Sequence, residues 1–439
     1  EEDAEEDAKV AVAATSEDPA DGSGPPEDGG AGMTPAPPPP PQFDPTDPEA
    51  LIAATKSFVS TDLGVRTSRL SDYSALGDSF VWVSGNNLAD GRTGPLTKEE
   101  YLAAGRYFDL RGSFPDMEHN AHDFRVIVDE AEGGTGGDDG EEEGTEKAPE
   151  EITVRFTTRT TGTFRGAPLK LRTKVLEPNG REMRCPPTSV SVTYSTEGED
   201  RGKITKLVTD MVLDRDAGNT EGLSGVPAAA IAGGASRSEL FEVGGGPPPL
   251  VALGRLFGRP SKGGGDDSTK ATTTTTTPPP FPSEIMIRLA EGVASSDFGL
   301  DDPGLLAEDF AYAEPLAGPL GKAEYLERFG AYDVRGGVPD LDYGLRNFRI
   351  DPYDPYRVWA DSRATGTRTG YIGTRPLPPG VDSAPYEAPP EAIGFTFDDD
   401  GFCTRLTAAA PMDPLLGNTG GLGGVYGLLY ATGTPANAL

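Results

Sequence analysis

The sequence is poor in the residues that most often carry chemistry or cross-links. Its 439 residues include two cysteines, Cys185 and Cys403, and two histidines, His119 and His122. Two distant cysteines do not make a disulfide framework, so a reducing compartment is expected. Both histidines fall in the first half of the chain, which excludes a histidine metal site repeated in both halves. We therefore expect no metal and no cofactor.

Basic residues and long apolar runs are also scarce. Lys and Arg number 38 against 71 Asp and Glu, which gives a formal net charge of −33 at pH 7. Nucleic acids and anionic membranes attract basic surfaces, so neither is expected as a partner. No run approaches the roughly 20 apolar residues needed to cross a bilayer, so no membrane span is expected.

One long stretch of the sequence occurs twice. Residues 94–125 are GPLTKEEYLAAGRYFDLRGSFPDMEHNAHDFR and residues 318–349 are GPLGKAEYLERFGAYDVRGGVPDLDYGLRNFR, which align without a gap at an offset of 224 positions. Further matches follow at a smaller offset, because only the first copy carries the acidic insertion GGTGGDDGEEEGTEKAPE. The sequence therefore predicts an internal duplication into two domains.

Composition divides the chain into four parts. Residues 1–43 are acidic and then Gly/Pro-rich, so they are expected to be a disordered tail. Domain 1 is predicted at 44–232, with the acidic loop insertion at 131–149, and domain 2 at 283–439. Residues 233–282 are rich in Gly, Pro and Thr and are expected to be a flexible linker. The chain starts at Glu1, so a targeting peptide could have been removed.

Each copy begins with helices and continues with strands. Asp47 and Pro48 predict the start of one helix, Ser283 is expected to cap its counterpart, and Thr97 is expected to cap Lys98–Tyr107. Extended segments with β-branched and aromatic residues follow, and the stretch LKLRTKVLEP at 169–178 is expected to be one strand. DDDG at 398–401 predicts a hairpin turn. This order predicts an α+β fold.

The element order and the aromatic and proline positions of the repeat resemble the NTF2-like superfamily, also described as SnoaL-like. The resemblance implies two tandem cone-shaped domains, each a bent antiparallel sheet packed on about three helices around a pocket. The repeated motifs are also similar to a family of unassigned algal proteins with one or two such domains, some of them candidates for protein sheets around the pyrenoid. The compartment is left open between cytoplasm and plastid stroma.

Two repeated residue pairs are candidates for catalysis. Asp116 and Asp340 follow a proline near the expected pocket, where the NTF2-like resemblance implies a carboxylate general base. The alternative is that each aspartate caps the turn after its helix. Tyr101 and Tyr325 are candidates to place a hydroxyl in the pocket, although an aromatic residue at helical spacing is more often part of the core.

Repeated arginines are candidates for binding. Arg125 and Arg349 occupy equivalent strand positions, as do Arg159 and Arg363. They are expected to form buried ion pairs, with Asp116 or Glu100 as nearby acids, or else to hold an anion inside the cone.

A glycine-rich motif closes both copies. Residues 213–225 are LDRDAGNTEGLSG and residues 412–424 are MDPLLGNTGGLGG. The motif lacks the lysine of a phosphate-binding loop, so a turn or a backbone interface is the favoured interpretation. The candidate interface residues are Gly218, Asn219, Thr220, Leu223, Gly417, Asn418, Thr419 and Leu422.

Three functional hypotheses follow from the sequence. The leading one is a non-catalytic structural protein whose two domains pair, or assemble with other copies, through sheet faces and the glycine-rich motifs. The second is a SnoaL-like isomerase, cyclase or hydratase acting on a small apolar substrate, with Asp116 or Asp340 as base. The third is a module that binds a small apolar ligand without catalysis.

Overall fold

The computed structural model describes residues 43–63, 74–85, 95–127, 149–171, 174–241, 278–315 and 318–434. The predicted tail and the acidic insertion, each except for its last residue, and most of the predicted linker lie outside the described residues. The described residues form two domains with the same order of strands, and each domain contains a six-stranded sheet. The predicted α+β class and the duplication are therefore confirmed.

The helices occur in equivalent places in the two domains. Domain 1 contains α1 (Pro48–Ser60), α2 (Lys98–Tyr107), α3 (Leu110–Ser113), α4 (Gly225–Ala232) and α5 (Arg237–Phe241). Domain 2 contains α6 (Ser283–Ser295), α7 (Lys322–Gly330), α8 (Val334–Gly337) and α9 (Gly424–Ala431), with a 3-10 turn at Pro303–Leu305. In the part of the chain described, no helix combines the length and the apolar character required to cross a membrane.

The strands of domain 1 are β1 (Leu76–Ser84), β2 (Leu96–Thr97), β3 (His122–Ile127), β4 (Glu151–Thr158), β5 (Thr161–Thr163), β6 (Leu169–Lys170), β7 (Val175–Leu176), β8 (Glu182–Arg184), β9 (Thr188–Ser195) and β10 (Ile204–Val212). Those of domain 2 are β11 (Leu306–Ala313), β12 (Leu320–Gly321), β13 (Arg346–Asp351), β14 (Asp354–Ser362), β15 (Thr365–Arg368), β16 (Ala384–Glu387), β17 (Glu391–Phe397) and β18 (Cys403–Pro411).

The two large sheets have the same strand order. It is β2-β1-β10-β9-β4-β3 in domain 1 and β12-β11-β18-β17-β14-β13 in domain 2. The pairs β1 with β10 and β11 with β18 are parallel, and the other neighbours are antiparallel. The smaller pairs β5 with β8 and β15 with β16 extend each domain beside its sheet.

Local sequence signals explain most helix starts. Asp47 accepts a hydrogen bond from the Glu49 backbone N–H at 3.0 Å, and Thr97 and Glu100 form a reciprocal capping box at α2, both as predicted. Ser283 does not cap α6, contrary to expectation. Pro282 occupies the cap position with an extended backbone, so Ser283 is already the first helical residue.

One face of each sheet packs on the helices of its own domain. Ile152, Val154 and Phe156 of β4 share a buried cluster with Leu51 and Phe58 of α1. In domain 2 the corresponding cluster joins sheet residues such as Phe395 to helix residues such as Met286. Side chains of the same domain therefore fill the space between each sheet and its helices.

The opposite face of each sheet is buried as well. Thr153, Arg155 and Thr157 alternate with the core residues of β4, yet each is buried. Because successive strand residues point to opposite faces, a strand buried at every position must be covered on both sides. The covering of this second face comes from the other domain, as the contacts of the interface show.

Two details differ from the sequence prediction. The stretch LKLRTKVLEP was expected to be one strand but forms the short strands β6 and β7, which pair with each other. Helix α5 lies inside the predicted linker, and Leu240 packs against the cluster that contains Leu176.

Candidate functional site

The interface between the domains is built on reciprocal ion pairs. Lys206 of β10 lies 2.8 Å from Asp413, and Arg405 of β18 lies 2.9 Å from Asp214. Lys206 and Arg405 are equivalent in the duplication, as are Asp214 and Asp413, at an offset of 199 positions. Each domain therefore contributes the cation of one pair and the acid of the other, which is the pattern of a twofold interface.

Asp214 is the most heavily engaged of these acids. It also accepts a hydrogen bond from Arg357 at 2.6 Å, and the Arg357 guanidinium stacks over the Trp359 ring at 4.3 Å. Gly394 leaves the space for this stack, since a Cβ there would lie 2.8 Å from Trp359. Burial opposes ionisation of Asp214, but Arg357 and Arg405 outweigh it and hold its pKa well below the usual value.

A second cluster joins the edge strands β3 and β13. Arg125 and Arg349, the equivalent arginines of the repeat, both contact Asp123 and Asp361. Arg349 lies 3.0 Å and Arg125 3.2 Å from Asp361. The four side chains form a closed ring of two cations and two anions across the domain boundary.

Aromatic side chains flank a third cross-domain pair. Arg159 forms an ion pair with the buried Asp351, which also accepts a hydrogen bond from the Trp359 indole at 2.8 Å. The Arg159 guanidinium lies over the ring of Tyr353 at 5.4 Å, and His122 contacts the same ring at a centroid distance of 4.8 Å. The interface therefore combines charge pairing with ring contacts.

The repeated arginines form ion pairs, which is one of the two roles expected from the sequence, but their partners are acids that the sequence analysis did not select. Arg125, Arg349 and Arg159 pair across the domains, whereas Arg363 pairs with Glu387 of its own domain at 2.5 Å. The expected partners are engaged elsewhere. Asp116 lies 3.3 Å from Arg165, and Glu100 completes the cap of α2.

Asp116 and Asp340 occupy equivalent turn positions in the two domains. Asp116 accepts the backbone N–H of Thr163 at 2.8 Å, and Asp340 accepts that of Thr367 at 2.7 Å. These hydrogen bonds lower the pKa of both carboxyls. Asp340 is exposed and Asp116 is partly exposed. Both placements are those of a turn cap rather than of a desolvated base.

Tyr101 and Tyr325 are buried in the cores. Each hydroxyl donates to a backbone carbonyl just after the first helix of its domain, Tyr101 to Leu63 at 2.5 Å and Tyr325 to Phe298 at 3.1 Å. Burial also raises the pKa of Tyr325. These hydroxyls anchor the turn that follows the first helix.

A polar cluster at the same turn was not selected from the sequence. Asp62 lies 2.6 Å from Arg111 and 3.2 Å from His119, and His119 lies 3.2 Å from the Thr160 hydroxyl. Burial opposes the charge of Asp62, but His119 and Arg111 lower its pKa to about 2. The sequence contained one signal for this cluster, because Arg111 recurs in the second copy as Arg335.

The second domain keeps the acid and the arginine of this cluster but not the histidine. Asp297 accepts a hydrogen bond from Tyr343 at 2.8 Å and lies 3.4 Å from Arg335. Tyr343 stands at the position of His119 in the duplication. The chemistry at this turn therefore differs between the domains, although its structural role is shared.

The glycine-rich motif makes its strongest contacts inside its own domain. The Asn219 side chain accepts from the Arg184 N–H at 2.8 Å and donates to the Glu182 carbonyl at 3.0 Å. Asn418 does the same with Glu387 and Pro385, both at 3.0 Å. Each asparagine thus takes the place of a neighbouring strand along β8 or β16.

The remaining motif residues complete this turn. Thr220 donates to the Leu223 carbonyl at 2.6 Å, and both Thr220 and Thr419 are fully buried. Leu223 and Leu422 pack into the clusters beneath α4 and α9. Gly218 and Gly417 have positive φ angles, and a Cβ on either would meet the backbone of the adjacent strand within 2.4 Å. An interface with another copy through this motif remains a prediction.

Two further acids are buried inside domain 2. Glu314 accepts a hydrogen bond from Tyr312 at 3.1 Å, and Glu391 accepts one from the Gly424 N–H at 3.0 Å, at the start of α9. Burial raises the pKa of each to about 7. Domain 1 has Ser84 and Thr188 at the equivalent strand positions, so this feature belongs to one domain only.

Comparison with known proteins gives matches to solved structures. No family model matches the sequence, and no curated protein matches it. A SnoaL-like polyketide cyclase from Jannaschia is 14% identical over 39% of this chain and 100% of its own, with a TM-score of 0.25. A phenazine biosynthesis-related protein from Pseudomonas aeruginosa is 18% identical over 35% of this chain and 90% of its own, with a TM-score of 0.23.

A third similar structure is an NTF2-like protein of unknown function from Burkholderia pseudomallei. It is 13% identical over 29% of this chain and 90% of its own, with a TM-score of 0.21. Likeness at this level concerns the fold alone. The two six-stranded sheets of equal strand order are consistent with the expected pair of NTF2-like domains. The resemblance to an algal family stays a prediction.

Proposed function

We propose that the chain is a non-catalytic structural protein in which two NTF2-like domains pair through their outer sheet faces into one fixed unit. The observation that carries the proposal is the reciprocal pairing of Lys206 with Asp413 and of Arg405 with Asp214. An isologous contact of this kind is how two copies of one fold associate. The unit would offer its remaining surfaces to partners, including further copies of the chain.

The burial of the interface supports a permanent pairing. The carboxylates of Asp214, Asp351 and Asp361 are almost wholly withdrawn from solvent, and each meets an arginine. Buried charges are tolerated only when they stay paired, because an isolated one costs several kcal/mol. Separating the domains would expose the Ser, Thr and charged residues of both paired sheet faces. It would break the pairs of Asp214 with Arg357, Asp351 with Arg159 and Asp361 with Arg125, and would leave Asp361 only the arginine of its own domain.

The catalytic hypothesis receives less support from the geometry. A general base working near neutral pH needs a raised carboxyl pKa, whereas hydrogen bonds from Thr163 and Thr367 lower the pKa of Asp116 and Asp340. The helix-facing side of each sheet is packed with side chains of its own domain. An apolar substrate or ligand would have to displace them.

Cleavage of the linker tests the pairing. A protease site placed within residues 242–277 allows the full chain to be cut after folding, and light scattering then reports the mass in solution. We expect the two halves to remain together at the 46.0 kDa of the intact chain. Halves that separate at micromolar concentration would overturn the proposal.

A charge-reversed chain is the matched control. Asp214→Arg combined with Asp413→Arg places like charges at both reciprocal pairs and is expected to let the cleaved halves separate. Circular dichroism checks that the helices and sheets persist in this variant. Light scattering of the uncut chain over a wide concentration range tests further assembly, which a strict monomer would contradict.

A further inference from the structure

A cavity of about 120 Å³ lies where the two domains meet, beside the ends of β10 and β11. Asp214, Arg215 and Arg237 of domain 1 and Glu314 and Thr407 of domain 2 supply its polar lining. The volume corresponds to about four water molecules in the liquid. It therefore admits a molecule of only a few non-hydrogen atoms.

The arginines make the cavity locally positive in a strongly acidic protein. Asp214 is already matched by Arg357 and Arg405. Arg215 donates to the backbone carbonyls of Pro315 at 3.2 Å and Gly318 at 2.5 Å, and its Nε lies 4.0 Å from Asp216, a carboxylate that it shares with Arg405. Arg237 adds a second guanidinium to the lining and donates to the Glu221 carbonyl at 2.8 Å.

Glu314 is the one acid of the lining that has no cation within ion-pair distance among the described residues. It is 4% exposed, and its carboxyl accepts the Tyr312 hydroxyl at 3.1 Å. Burial raises the pKa of Glu314 to about 7, so near neutral pH a share of the molecules carries a protonated carboxyl that can donate. The charged or titratable groups that face it are Tyr312, Glu391, Arg215, Arg328 and Tyr426.

We propose that this cavity binds a small oxygen-bearing anion, a carboxylate or an inorganic oxyanion, between Arg215, Arg237 and the carboxyl of Glu314. Guanidinium groups present parallel N–H donors that suit either kind of anion. A protonated carboxyl adds a donor where an ionised one would repel the ligand. Because both domains line the cavity, the bound anion stabilises their pairing by mass action.

Calorimetric titration of the full chain tests the site. The probes are sodium acetate and sodium sulfate, each compared with sodium chloride at equal ionic strength, at about pH 6 and about pH 8. Neither probe titrates in this range, so a pH effect reports the protein. We expect saturable binding that weakens about tenfold per pH unit above about pH 7. Acetate alone would identify a carboxylate site, and sulfate alone an oxyanion site.

Three variants separate the proposed roles. Arg215→Gln is expected to weaken binding at least about tenfold. Glu314→Gln keeps an uncharged donor and is expected to bind at both pH values alike. Ala313→Leu is expected to fill the cavity and abolish binding while every charge remains. Glu308→Gln is the control, because it neutralises an exposed acid of β11 that does not line the cavity, and affinity should change less than about twofold.

The outcomes are decisive in both directions. Absence of saturable binding of either anion to the unmodified chain would overturn the proposal, as would undiminished binding to the Ala313→Leu chain. A pH dependence that persists in Glu314→Gln would overturn the role of Glu314. The cavity forms only where the two domains pair, so the anion site rests on the proposed function. Cleaved domains that stay together but bind neither anion would overturn the anion site alone.

Discussion

The buried carboxylate of Asp214 forms ion pairs with two arginines of the other domain. Asp214→Asn removes the negative charge and leaves Arg357 and Arg405 facing each other in the interface. We expect the free energy of unfolding to fall by about 3–5 kcal/mol, measured by urea denaturation. Asp216→Asn is the control, since Asp216 contacts the same Arg405 at 2.7 Å but is partly exposed, and it should cost less than about 1 kcal/mol. Equal losses in the two variants would contradict the assignment.

At the residue scale the sequence predicted types of contact better than partners. The duplication singled out Arg125 and Arg349, and chemistry favoured ion pairs for them, which the structure contains. It could not select Asp123 and Asp361, because each counterpart in the other copy is a different residue, Asn347 and Thr157. Lys206 and Arg405 were visible as equivalent cations in the last strand, yet only the packing of one sheet on the other brings them to Asp413 and Asp214.

The asparagine of the glycine-rich motif hydrogen-bonds the backbone of a neighbouring strand at two residues and so stabilises the strand as an element. Asn219→Ala removes two hydrogen bonds to β8, and Asn418→Ala removes two to β16. We expect each substitution to cost about 2 kcal/mol and to speed hydrogen exchange along the strand that it borders. The untouched domain of the same chain serves as the control. Exchange that rises equally in β8 and β16 after a single substitution would contradict this local role.

Elements fixed by neighbouring residues were predictable, and elements fixed by distant ones were not. The caps Asp47 and Thr97 and the turn at 398–401 depend on a few adjacent residues, and each forms as expected. The parallel pairing of β1 with β10 joins strands more than a hundred positions apart, for which no local pattern exists. The stretch LKLRTKVLEP forms two strands that pair with each other, β6 and β7, although it has no glycine or proline between them to signal a division.

For the whole molecule, buried glutamates and interface aspartates give opposite pH dependences. Glu314 and Glu391 have pKa values of about 7 in the folded chain against 4.5 ordinarily. As pH rises from about 4.5 to about 7 the unfolded chain loses protons that the folded chain retains, so stability falls through this window. Arg357 and Arg405 outweigh burial and lower the pKa of Asp214, so its contribution is present above about pH 4 and is lost as pH falls further.

Urea denaturation between about pH 5 and about pH 8 measures this balance. We expect each buried glutamate to lower the free energy of unfolding at the higher pH by on the order of 3 kcal/mol. Glu391→Gln should remove its share of the decline, whereas Glu308→Gln, at an exposed position of β11, should leave the curve unchanged. A chain whose stability rises steadily across this range would show that the two glutamates are ionised when folded.

The reciprocal pairs of the interface also bear on how the chain behaves when it is concentrated. Each domain carries both a cation and an acid of the kind the interface requires. Its sheet face therefore fits the other domain of its own chain, its companion, and the identical domain of a neighbouring chain equally well. What favours the companion is its covalent connection, which gives it a higher effective concentration than a separate chain has in dilute solution. In dilute solution the two domains of one chain therefore pair with each other. At millimolar protein concentration a domain can instead pair with a domain of another chain, which links the chains end to end.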